Sequence, residues 1–171
     1  MNDLAYEPDD IDVRIAELLM AIPDEAEPFE HPKVQQALHV LRTHLNMDVA
    51  FMSQFKHGRR TYRVVDSSPQ YSAVQAGHSD PVEESWCLHV VEGRLPRLLR
   101  DARPYVRAKA VPPTALQIGT HLSTPVVLRN GKVYGTLCCF SADVKADVSP
   151  KELGRLRLTA QLLADELRLN V

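Results

Sequence analysis

The amino-acid sequence predicts an α+β domain built around an antiparallel sheet. Three observations carry that prediction. Strand candidates come in pairs joined by glycine-containing turns, helical periodicity is concentrated towards the two ends, and one strand is apolar on both faces. The chain has 171 residues, enough to bury a core without a metal or a disulfide. Three cysteines are too few, and an odd number, for a secreted disulfide framework. No basic region followed by an apolar run opens the sequence, and no stretch approaches the ~20 apolar residues that a membrane span requires. The expected location is therefore cytoplasmic, with no membrane partner. A net charge of −2 and a pI near 6.4 also argue against a nucleic-acid partner.

The elements follow in order. Asp9 or Asp10 can cap a first helix, in which Ile11, Ile15, Leu18, Leu19 and Ile22 recur at helical spacing until Pro23 stops it. Residues 23–28 read as a linker, and Pro32 opens a second helix with Val34, Leu38, Leu41 and Leu45 on one face. Strands are expected at Val49–Phe55 and Thr61–Val65, turning at Lys56-His57-Gly58-Arg59. After a loop over 67–80, a third helix is expected to open at Asp80-Pro81, carry Trp86, Cys87, Val90 and Val91, and end at Gly93. Leu95–Asp101 reads as a short strand and 102–116 as an irregular crossover broken by Pro104, Pro112 and Pro113. Leu122–Leu128 and Val133–Phe140 flank Asn130-Gly131, the strongest short hairpin signal in the chain. A last helix runs from Pro150 with Leu153, Leu156, Leu163 and Leu167 on a stripe that Leu158, Leu162 and Leu169 widen.

Charge divides the chain. Residues 1–30 hold ten acids against the single base Arg14, while the remainder holds twelve acids against nineteen bases. This marks 1–30 as an acidic helical extension and 31–171 as the body. Arg94, Arg97, Arg100, Arg103, Arg107 and Lys109 form a basic run that reads as a charged sheet edge. If that run binds anything within the molecule, the acidic extension is the natural partner. Period-2 alternation over 133–140 places Tyr134, Thr136, Cys138 and Phe140 on one face, and Val133, Gly135, Leu137 and Cys139 on the other. Both sets are largely apolar, as in a central strand. Gly135 within it relieves a bulge or admits a second backbone.

Two runs now carry a resemblance. Ser85-Trp86-Cys87 leads through to Asp101, and Ile118-Gly119 leads to Pro125, Asn130-Gly131 and Gly135-Thr-Leu-Cys138. In this order and spacing they resemble a GAF domain of the bacterial signalling type, more weakly over 31–169. The resemblance implies a sheet of about six antiparallel strands flanked by helices, with a small-molecule pocket between the sheet and the crossover. It also implies a homodimer through terminal helices and regulation of a signalling partner or output domain. The pocket candidates are Trp86, Cys87, Asp101, His121, Tyr134, Thr136 and Cys138; the ligand is unidentified and no metal or cofactor is assigned.

The chemistry in the sequence is sparse. Cys87 and His89 lie about 200° apart on a helix, so they do not share a metal or act as a nucleophile–base pair. The three cysteines read first as core residues. Asp101 suits the turn that follows it, with a ligand contact as the alternative. The Cys-His pair that bilin photoreceptors carry after the crossover is absent, since Cys87 precedes the crossover and Leu88 follows it. The cyclic-nucleotide signature of the family is absent as well. The expectation is thus a non-catalytic small-molecule sensor. The alternative is a thiol-dependent reductase of a small oxidised substrate, similar to the free methionine sulfoxide reductases, although residues 102–117 contain no cysteine.

Overall fold

The structure is a computed structural model that describes residues 6–23, 26–71 and 74–167. Leu169 and the Asp24-Glu25 part of the linker lie outside the described residues. Six strands form one antiparallel sheet: β1 (Val49–Lys56), β2 (Arg59–Ser67), β3 (Ser79–Pro81), β4 (Leu98–Leu99), β5 (Thr120–Val127) and β6 (Val133–Ser141), in the order β3-β2-β1-β6-β5-β4. Helices α1 (Asp10–Met20), α2 (Pro32–Leu45) and α5 (Pro150–Leu167) form a layer on one face. On the other face lie α3 (Trp86–Val91), α4 (Arg103–Arg107) and the crossover that runs on to β5.

Alternation explains the two layers. From β1 and β6, Ala50, Met52, Leu137 and Cys139 face the helices, while Phe51, Cys138 and Phe140 face the crossover. The hairpin between β5 and β6 turns at Gly131, whose φ of 86° suits a residue without a Cβ. Gly135 admits a second backbone: a Cβ there would stand 1.9 Å from the carbonyl oxygen of Ser53. The pairing of β5 with β6 then slips, so that Val126 faces Gly135, Val127 faces Val133, and Tyr134 has no opposite residue. This bulge corrects the expected face of Tyr134. Its ring lies on the helical side, stacked on Phe29 at 5.9 Å.

Three boundaries also differ from expectation. Asp80-Pro81 closes β3, where Arg60 and Asp80 pair across the β2–β3 ladder, and leads into a single 3₁₀ turn (Val82–Glu84) instead of directly into α3. Helix α3 starts at Trp86, where Ser85 Oγ accepts the Leu88 N–H. The strand expected over 95–101 shrinks to Leu98–Leu99 at the sheet edge, with the basic run beginning beside it.

Helix α1 packs on α2 and α5, with Ile15, Leu19 and Ile22 buried in the same core as Leu38 and Leu156. Its capping residues secure it. Asp9 accepts two 2.7 Å hydrogen bonds from the guanidinium of Arg155 on α5, and Asp12 accepts a third at 3.1 Å. Asp12 also accepts the Tyr6 hydroxyl proton at 2.6 Å. Among the described residues, the ion pairs of the acidic extension go to Arg155, Lys151 and Arg63, and none joins it to the basic run over 94–109. Within that run Arg94 pairs with Glu92, Arg103 pairs with Asp101, and Arg100 donates to the Val148 carbonyl.

Candidate functional site

The crossover face encloses a cavity of about 290 Å³. Phe51, Tyr62 and Phe140 supply its sheet wall, and Pro113, Leu116 and Ile118 its crossover wall. Trp86 and Cys87 reach it from α3 because the Ser85 cap starts the helix with these two side chains turned inward. The indole N–H of Trp86 donates to the Pro112 carbonyl at 2.8 Å, tying the helix to the crossover. The Trp86 ring also lies 5.3 Å from that of His121, which projects from β5.

The polar part of the site centres on Arg60 and His121. The Arg60 side chain is almost fully buried, and its fork is bidentate on Asp80 at 3.0 and 2.6 Å. Its guanidinium stands 4.5 Å from the Tyr62 ring centre and 5.7 Å from that of Phe51. The remaining arm donates to Cys87 Sγ at 3.4 Å. Burial works against the charge, but the Cys87 sulfur, Asp80 and Tyr62 together hold Arg60 protonated.

Cys87 and Cys138 belong to one buried cluster where α3 packs on β6. The Cys138 thiol lowers the Cys87 thiol below its ordinary value; burial opposes this, and Arg60 and Thr136 add to the lowering. Burial and the neighbouring Cys87 sulfur push Cys138 up. Cys138 Sγ lies 3.2 Å from His121 Nε2. Burial, assisted by Arg60, brings His121 down to about 4, so the ring is neutral at physiological pH. Its Nδ1 is buried without a hydrogen-bond partner. The third cysteine stands apart: Cys139 faces the helical core, where burial pushes its thiol up to about 12.

Among the candidates read from the sequence, Trp86, Cys87 and His121 line the cavity, and Cys138 backs Cys87 and His121. Thr136 stands behind them, its hydroxyl 2.9 Å from that of Ser53. Asp101 accepts the Arg103 backbone N–H and pairs with the Arg103 side chain, away from the cavity, and Tyr134 lies across the sheet. Arg60, Asp80 and Tyr62 were not foreseen. A larger open groove of about 1210 Å³ runs between residues 6–9, α5 and β5 on the outer surface, lined by apolar and charged side chains together.

A GAF-domain profile matches residues 34–168. The chain belongs to the GAF family. Comparison with curated proteins finds no match. Among solved structures, the GAF domain of an Acinetobacter phosphoenolpyruvate-protein phosphotransferase superposes with a TM-score of 0.72 at 18% identity, covering 92% of this chain and 90% of that one. A phycocyanobilin-bound GAF domain from a cyanobacterial phytochrome gives 0.68 at 13% identity, covering 98% and 94%. The type II free methionine-R-sulfoxide reductase of Thermoplasma acidophilum gives 0.62 at 15% identity, covering 90% and 94%. These likenesses share the GAF fold. The described residues include no helix long and apolar enough to cross a membrane.

Proposed function

We propose that this GAF domain is a non-catalytic sensor that holds a small molecule in the crossover-face cavity and regulates a signalling partner or output domain in a bacterial cytoplasm. The observation that carries the reading is the cavity lined by Trp86 and His121, the latter a residue whose buried Nδ1 has no protein hydrogen-bond partner. A buried polar nitrogen left without a partner costs about 1–3 kcal/mol, which a ligand hydrogen bond would recover. Aromatic walls beside the polar groups Arg60, Asp80, Glu84 and His121 favour a planar ligand that carries polar groups, one of them bonding a neutral imidazole. A volume of about 290 Å³ suits an amino acid or a single heterocycle and is too small for a linear tetrapyrrole such as phycocyanobilin. A route outward exists in β5. His121 faces the cavity while the next residue, Leu122, lies in the core beneath the helices, against which α5 packs. Dimerisation through terminal helices belongs to the same reading and draws on the exposed Val13 and Met20 of α1.

Trp86, the chain's only tryptophan, makes the test direct. Amino acids, small carboxylates and single-ring heterocycles are titrated while its emission is followed. A saturable change that His121→Phe abolishes is expected. A flat response across the panel, from protein that native mass spectrometry shows to carry no bound molecule, would remove the reading.

The placement of Cys87 and Cys138 in one buried cluster favours one alternative, a thiol-dependent reductase of a small oxidised substrate. Turnover of free methionine sulfoxide with a dithiol reductant, abolished by Cys87→Ser, would replace the sensor with that enzyme.

A further inference from the structure

We infer that Cys87 and Cys138 form a hydroperoxide-reactive dithiol, with Cys87 the attacking sulfur and Cys138 the resolving one. The inference uses the cavity assigned above but needs neither a regulatory ligand nor a sulfoxide substrate.

Placement assigns the two roles. Cys87 lines the cavity, so a small hydroperoxide that enters reaches its sulfur first. Cys138 sits behind it on β6, in the same buried cluster as Cys87 and 3.2 Å from His121 Nε2. The donor arm of Arg60, 3.4 Å from Cys87 Sγ, supplies the positive charge that a thiolate needs in a buried setting. Asp80 fixes the Arg60 fork, and the rings of Tyr62 and Phe51 flank it, so this charge is held in place. A buried cysteine serving only as core filling has no need of a buried, charged, bidentate-anchored donor on its sulfur. Cys139, one residue along the same strand, shows the contrast: it faces the helical core, and among the described residues no side chain donates a hydrogen bond to its sulfur.

The chemistry balances. The Cys87 thiolate attacks the terminal oxygen of the hydroperoxide, forming an S–O bond as the O–O bond breaks. The departing alkoxide takes a proton from water, leaving an alcohol and a sulfenic acid on Cys87. The Cys138 sulfur then attacks Cys87 Sγ, the S–O bond breaks, and the Cys138 proton leaves with the hydroxyl as water. Two thiols are oxidised to one disulfide and one hydroperoxide is reduced to an alcohol plus water. A cellular dithiol would return the pair to the reduced state by exchange. His121 holds Cys138 in position and is not required to exchange a proton.

The test uses the full chain and tert-butyl hydroperoxide, followed by alkylation in denaturant and peptide mass spectrometry. The expected product is a monomer with two of its three thiols lost and a cross-linked peptide joining residues 87 and 138. Cys139→Ala should behave the same. Cys138→Ser, or Cys138→Ala should the serine variant unfold, should stop with one added oxygen on Cys87 that dimedone traps. Arg60→Met should slow the loss of Cys87 about tenfold or more. Three persistent thiols, oxidation spread evenly over all three cysteines, or a disulfide formed only between two chains would each overturn the inference. A peroxide-inert protein whose Trp86 still responds to a ligand would leave the sensory reading standing. Formation of the disulfide without any ligand response would do the opposite.

Discussion

The two faces of the sheet solve different problems with the same strands. The helical face is close to a pure packing surface, with Ile15, Leu19, Leu38, Leu41, Met52, Leu137, Leu156 and Leu163 at 1% exposure or less. Its buried ion network, Arg155 with Asp9 and Asp12, fastens one helix to another. The crossover face buries fewer apolar side chains and gathers Arg60, Cys87, His121 and Cys138 around a cavity. Stability is thus concentrated on one side and chemistry on the other, with the central strands β1 and β6 serving both.

Substitutions can break that division, and the largest effect is expected at Arg155. Arg155→Ala would leave the Asp12 carboxylate buried and unpaired, costing about 4 kcal/mol in denaturant unfolding. Trp86 emission in the folded baseline should stay unchanged. The same network is sensitive to acid. Hydrogen bonding to Arg155 holds the Asp9 carboxyl far below its ordinary 3.8, so its contribution is full above that value and is lost as pH falls further.

Leu156→Ala comes next, at about 3 kcal/mol, since the side chain is fully buried in the helical core. It too should spare the crossover face: the rate at which Cys87 reacts should match that of the parent protein. A large change in that rate would show that the two faces are coupled more tightly than their packing suggests.

The third effect belongs to the cavity. His121 has a folded value near 4 against an ordinary 6.5. As pH falls below 6.5 the unfolded chain takes up the proton first, so stability declines from there to about 4 and then levels off. A loss on the order of 2–3 kcal/mol across that window is expected in pH-dependent unfolding, and His121→Asn should flatten it. The smallest effects mark positions away from the cavity. Tyr134→Phe and Asp101→Asn should each leave cavity binding and Cys87 reactivity unchanged, with little change in stability.

The sequence disclosed more of the fold than of the site. The α+β class, the Asn130-Gly131 hairpin and the two-sided central strand followed from turn chemistry and alternation, which are local. The order of motifs from Trp86 to Cys138 brought out the GAF resemblance and three of the cavity residues. Arg60 stayed hidden because Arg59-Arg60 reads as two equally exposed charges. Only the β2–β3 ladder, which sets Arg60 opposite Asp80, determines which of them turns inward. Tyr134 was misplaced because period-2 reasoning holds only while the register does, and the bulge beside Gly135 ends it. The stripe on α1 showed that something covers it without showing what. The decisive contact, Arg155 to Asp9, spans nearly the whole chain.

The central claim is that the cavity beneath the crossover is a ligand site whose open valence is His121 Nδ1. The most direct measurement is a crystal structure of the full chain purified without added small molecules, or soaked with whichever compound shifts Trp86 emission. Electron density for a non-water molecule within hydrogen-bonding distance of Nδ1, flanked by Trp86 and Phe140, is the predicted result. A cavity closed by its own side chains, with Nδ1 bonded to a protein group, would contradict it.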